Sequence, residues 1–215
     1  MKWIDIHTHK AYKSQSDVIF IRNAYLLDVE NQRKNYFLSN GIHPWEVNHN
    51  NQLHLLPHLL NKKKVLALGE IGLDRFKSDF ALQIEVFKKQ LEIGNQYRKP
   101  IILHCVKAYP EMISLIQDYT YPIIFHQYEG NSIQTQQLLK KPNCYFSFGR
   151  QLFRKHAPLD LLETIPINNI FLETDNLNLS IQACYSKYAQ LKNLDLEILQ
   201  NQLIQNFEEV FGFDS

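Results

Sequence analysis

Eight short runs rich in β-branched and aromatic residues punctuate the chain, at 3–6, 18–21, 36–38, 65–68, 101–103, 123–125, 145–148 and 170–172. They constrain the fold more than any other feature. Several are continuously apolar (VLAL, IIL, IIF), the pattern of parallel strands covered on both faces. Helical periodicity fills several intervals. Residues 79–95 place Phe80, Ile84, Phe87 and Leu91 on one face. Shorter helices are expected at 111–119 and 132–140, each followed by a proline-containing turn, and two more at 181–191 and 195–211, with Asp195 as N-cap of the last.

Eight strands with intervening helices predict a TIM-type (β/α)8 barrel, near the roughly 200-residue lower limit for that fold. A single domain spanning 1–215 is expected. Residues 10–35 are the exception, because they show no amphipathic helix, and a parallel crossover ordinarily takes about a dozen residues or more. The barrel is therefore expected to be reduced or irregular between strands 1 and 3, through a hairpin or a shortened corner.

Composition limits the function classes. Twenty-three basic and 22 acidic residues leave a formal net charge of +1, so no global field drives the chain onto a polyanion. Cys105, Cys144 and Cys184 are odd in number and never spaced C-x-x-C, which fits neither a disulfide framework nor a thiolate zinc site. No apolar run approaches the ~18 residues of a membrane span. With WIDI following directly on the first residues, the expectation is a cytoplasmic protein without membrane attachment and without an obligate protein partner.

The chemistry lies at the strand ends. His7 and His9 end the first run and, two apart on a strand, project from one face. Glu70 follows VLAL-G, His104 ends IIL, His126 ends IIF, and Asp175 follows IFLET. In a (β/α)8 barrel the carboxyl ends of the strands meet at one face, so six metal-ligand side chains are expected to converge there.

Four imidazoles and two carboxylates suit zinc, manganese, nickel or iron, and are nitrogen-rich for a pure magnesium or calcium cage. Six donors exceed the three that a catalytic zinc normally takes. Two divalent ions (Zn, Mn or Mg) sharing a bridging carboxylate use the set better, with Glu70 as the natural bridge. Such a pair acidifies water and stabilises both the attacking and leaving oxygens of a displacement. The expected reaction is hydrolysis of a phosphodiester or of another polar ester or amide. Arg150, just past YFSFG, is a candidate phosphate contact, because its guanidinium fork matches phosphate oxygens.

WIDIHTH, GIHPWE, LALGEIGLD, KPIILHC, IIFHQYEG, YFSFG and FLETD, in this order, resemble the TatD-type metal-dependent deoxyribonuclease family within the amidohydrolase-like barrels. The resemblance implies a metal-dependent nuclease or phosphodiesterase. By position it implies that His7, His9, Glu70 and Asp175 hold one ion and Glu70, His104 and His126 the second. Asp175 would be the general base, Glu70 a catalytic ligand, and His43 of GIHP the histidine that faces substrate. The alternatives are a small-molecule amidohydrolase (amide, lactone or phosphotriester) using the same metals, and a non-catalytic metal-binding protein. The substrate expected is a nucleic acid or a small phosphoester. Three departures from the family pattern stand out: Gln127-Tyr128-Glu129-Gly130 replaces the common C-F-S-G, Asn176-Leu177-Asn178 follows ETD, and Lys10 takes a usually apolar place.

Overall fold

The computed structural model describes residues 2–12, 17–28 and 36–212. Its strands are β1 (Trp3–Thr8), β2 (Val18–Ala24), β3 (Phe37–Asn40), β4 (Val65–Asp74), β5 (Ile101–Val106), β6 (Ile123–Phe125), β7 (Cys144–Phe148) and β8 (Ile170–Leu172). They form one sheet in the order β1 to β8. β3 to β6 pair in parallel in succession, as do β7 and β8, and β1 meets β8 again through a bridge from Thr8 to Asp175. The fold is of the (β/α)8 barrel class.

The α-helices are α1 (Leu56–Leu60), α2 (Phe80–Gln96), α3 (Tyr109–Leu115), α4 (Ser132–Leu139), α5 (Leu159–Thr164), α6 (Ile181–Lys192) and α7 (Leu196–Phe211). The long helices fall where the periodicity places them, and their caps are the expected chemistry. Asp195 accepts from the N–H groups of Glu197 and Ile198, and Asn131 forms a reciprocal capping box with Gln134.

Between β1 and β3 there is no helix among the described residues. The N–H of Trp3 bonds the carbonyl of Asp17 at 2.8 Å, and β2 stands next to β1 in the sheet. The choice between a hairpin and a shortened corner falls on residues 10–35, of which 13–16 and 29–35 lie outside the described residues.

Two compact units divide the chain, Met1–Ile21 with His126–Ser215, and Arg22–Phe125. In the first, Leu199, Leu203, Phe207 and Val210 of α7 are buried at helical spacing; each full burial of such a side chain is worth about 1.5–3 kcal/mol before entropy. α6 is tied to β1 by the Tyr185 hydroxyl, which accepts from the Ile4 N–H and donates to its carbonyl. In the second unit all ten residues of β4 are buried, and α2 covers the strand with two buried glutamines. The Gln90 amide exchanges hydrogen bonds with both backbone groups of Ile42 (2.7 and 3.0 Å), and the Gln83 amide does the same at Asp74 (2.8 and 3.1 Å). A helix thus completes backbone bonding where the sheet stops, at the two points that carry functional side chains.

Candidate metal centre

In the second unit the site grows from β4. Alternation along this strand puts Glu70, Gly72 and Asp74 on one side. Gly72 pairs with His104 of β5 at φ 146°, and a Cβ there would lie 2.0 Å from the His104 carbonyl oxygen. Only glycine permits that approach. His104 then sits between two carboxylates, with Nδ1 2.7 Å from Glu70 Oε1 and Nε2 3.4 Å from Asp74 Oδ2. The backbone N–H of Glu70 is held by Asn23 Oδ1 at 2.8 Å.

His43 completes this group from the loop after β3. Its Nδ1 accepts the Trp45 backbone N–H at 3.1 Å as the cap of the Pro44–Leu55 turn, which leaves the proton on Nε2, 3.2 Å from Glu70 Oε1. Burial alone would raise the Asp74 carboxyl. Hydrogen bonds from His104, the Trp45 indole (2.7 Å) and the Phe76 N–H (2.9 Å) outweigh burial and hold it at about 2.

In the first unit the group is made where β1 meets the end of β8. The Asp175 N–H bonds the His7 carbonyl at 2.9 Å, and the His9 N–H bonds the Asp175 carbonyl at 3.2 Å. This ladder brings Asp175 Oδ1 to 3.3 Å from His9 Nε2 and 3.7 Å from His7 Nε2. Asp175 is left-handed at φ 48°, and so is Gln127 at φ 41°. Gln127 Nε2 donates to Asp175 Oδ2 at 2.6 Å, and Asn176 Nδ2 reaches Oδ1 at 3.3 Å.

His126 lies beside His7, ring centres 4.7 Å apart. Its Nδ1 donates to fully buried Glu173 at 3.2 Å, and the other Glu173 oxygen takes the Ser147 hydroxyl. With Nδ1 engaged by this carboxylate, Nε2 is the nitrogen that would face a metal ion. Behind β1, burial pushes the Asp5 carboxyl up to about 6 despite hydrogen bonds from Thr174 and Tyr12.

The donor sets fit divalent ions. In each of the groups His7–His9–Asp175 and His43–Glu70–His104, one ligand atom per residue lies within 4.8 Å of the others. Two donors bound at about 2.1 Å to one tetrahedral ion stand ~3.4 Å apart; His9 to Asp175 (3.3 Å) matches that separation. Thus Glu70 and His104 come together as expected, and so do His7, His9 and Asp175. His43, expected to face substrate, stands among the donors. Arg150 is exposed at the start of the Arg150–Phe153 turn and belongs to neither group.

The model of the TatD-related DNases matches residues 10–212. The chain belongs to the TatD family. A protein of Buchnera aphidicola subsp. Baizongia pistaciae described as an uncharacterized metal-dependent hydrolase is 26% identical over 212 residues, 89% of this chain and 80% of its own length. Another so described, from Methanocaldococcus jannaschii, is 24% identical and aligns over 96% of this chain and 95% of its own. The crystal structure of the TatD homolog YJJV from Escherichia coli K12 superposes with a TM-score of 0.84 at 20% identity, covering 99% of this chain and 98% of that one. Family membership and the donor groups together support metal-dependent hydrolase activity.

For this TatD-family chain, sequence reasoning missed the residues that hold the donors. Asp74 had a signal, standing four residues after Glu70 on the same side of one strand. Gln127 had one too, since it breaks the family pattern next to His126. Glu129, in the same loop, is neutralised by Arg154 at 2.6 Å, and Lys10 donates to the Leu177 carbonyl at 2.6 Å. Trp45, Gln83 and Gln90 had no signal beyond their residue type. No helix of the described residues is long and apolar enough to cross a membrane.

Proposed function

We propose that the chain is a metal-dependent phosphodiesterase acting on DNA, with His7, His9 and Asp175 holding one divalent ion, and Glu70 and His104 supplying ligands of a second. The observation that carries this reading is the ligand-like spacing of carboxylate and imidazole at Asp175–His9, 3.3 Å, beside a second carboxylate–imidazole group at Glu70 and His104. Bound divalent ions supply Lewis acidity and bring a water's pKa near neutrality. The chain's own residues do the rest. Asp175, anchored by Gln127 at Oδ2, takes the proton of the attacking water. His43 presents an Nε2–H, because its Nδ1 is occupied by the Trp45 N–H, and an N–H donor suits a phosphate oxygen.

A substrate panel tests the reading: single-stranded DNA against lactones and cyclic amides, each with Mg, Mn and Zn. DNA hydrolysis is expected. Turnover confined to lactones or cyclic amides would make the chain a small-molecule amidohydrolase. Stoichiometric metal without turnover of anything in the panel would make it a binding protein.

A further inference from the structure

We propose that Trp45 is a stacking platform for an unpaired nucleobase, placed so that the phosphate of the same nucleotide reaches the His43–Glu70–His104 group; this rests on the phosphodiesterase reading. Tyr109 and Tyr128, two aromatics that a sequence reader would offer to bases, are 7% and 0% exposed, and the Tyr12 hydroxyl is bonded to Asp5. Trp45 is different, with 58% of its surface exposed. It is also immobilised. The indole N–H is bonded to Asp74 Oδ2 at 2.7 Å and the backbone N–H to His43 Nδ1 at 3.1 Å. An exposed indole fixed at both its ring nitrogen and its backbone is pre-organised, so little side-chain freedom is lost when a flat partner settles on it.

Position and charge name the partner. The Trp45 ring centre lies 5.0 Å from that of His43 and 6.0 Å from that of His104, so a ring stacked on Trp45 and an oxyanion at those imidazoles belong to one nucleotide. The Lys77 ammonium sits over one face of the indole, 4.2 Å from its centre, on an exposed, flexible stem; a base that stacks there takes its place, and the displaced ammonium reaches the adjoining phosphate. Flat base, short linker and anion is the order that a single strand presents to a stacking surface. Duplex DNA keeps its bases stacked within the helix, so the platform selects unpaired ends or single strands.

The test compares kcat/KM for a short single-stranded oligonucleotide with kcat/KM for an abasic phosphodiester of the same length, in the parent, Trp45→Phe and Trp45→Leu proteins loaded with Mn. The parent should prefer the base-bearing strand. Trp45→Leu should reduce that preference by about tenfold or more, and Trp45→Phe should keep most of it. Damage to the fold alone lowers both rates and leaves their ratio. In a Trp3→Phe background, where Trp45 is the only indole, a phosphorothioate oligonucleotide should quench fluorescence and the abasic strand should not. An unchanged ratio in Trp45→Leu, or equal quenching by both strands, overturns the platform while the phosphodiesterase reading stands. Failure to cleave either strand, with turnover of a lactone, overturns both.

Discussion

The two donor groups are built by different means. In the Arg22–Phe125 unit, Glu70 and Asp74 belong to one strand whose ten residues are all buried, and His104 comes from the neighbouring strand. Sheet geometry sets their positions. In the other unit, Asp175 and Gln127 stand beyond the ends of β8 and β6 on left-handed backbone, and each orients the other through a hydrogen bond. There the turns and a polar contact do what the sheet does in the first case. A donor group carried on strands is rigid by construction, whereas one carried on turns depends on its supporting contacts.

The largest effect that can break this comparison is removal of a carboxylate. Glu70→Ala and Asp175→Ala should each lower phosphodiester hydrolysis by about 10³-fold, with far-UV circular dichroism unchanged. Metal content separates them. If Glu70 serves both ions, as the family pattern implies, Glu70→Ala should lose two equivalents and Asp175→Ala one, read by elemental analysis after dialysis. Loss of one equivalent from each would make the two groups independent.

A smaller effect tests the turn-borne group alone. Gln127→Ala releases Asp175 Oδ2 and should lower kcat by about tenfold, the scale of one hydrogen bond to a charged group. Restoration by Gln127→Asn in place of Ala would show that an amide donor suffices. A kcat equal to the parent's in Gln127→Ala would show that the turn holds Asp175 without help.

The smallest effect is thiol reactivity. Burial pushes Cys105, Cys144 and Cys184 up to about 12, against an ordinary value near 9, so the native thiols stay protonated where unfolded ones begin to ionise. The stability this contributes is complete below pH 9 and declines as pH rises from 9 toward 12. At pH 8, a disulfide reagent should label all three in denaturant and none quickly in the native protein. Cys105 on β5 should react first, being half-buried where the other two are fully buried.

The same contrast explains what was legible in the sequence. Strand-borne donors announce themselves, because an apolar run ending in His or followed by Glu is a local pattern. The runs before His7, Glu70, His104 and His126 therefore marked the site as well as the strands. Strand lengths were less visible: β4 continues to Asp74 because Gly72 lets β5 close on it, a constraint that lies on another strand. Supporting contacts were not visible. Nothing local tells Gln90 from any helix glutamine until Ile42 is seen 48 residues away, and Trp45 is known to be exposed only once the fold surrounds it.

The ties of β1 to the far end of the chain bear on the order in which a ribosome delivers the parts. The Arg22–Phe125 unit is one unbroken stretch, so its whole donor group has been synthesised by residue 125. His7 and His9 are made first and completed last. Their backbone partner is Asp175, and the hydroxyl that holds Ile4 belongs to Tyr185. The first strand to leave the ribosome therefore meets β2 early but waits through 167 residues of synthesis, from Thr8 to Asp175, before its β8-side partner exists.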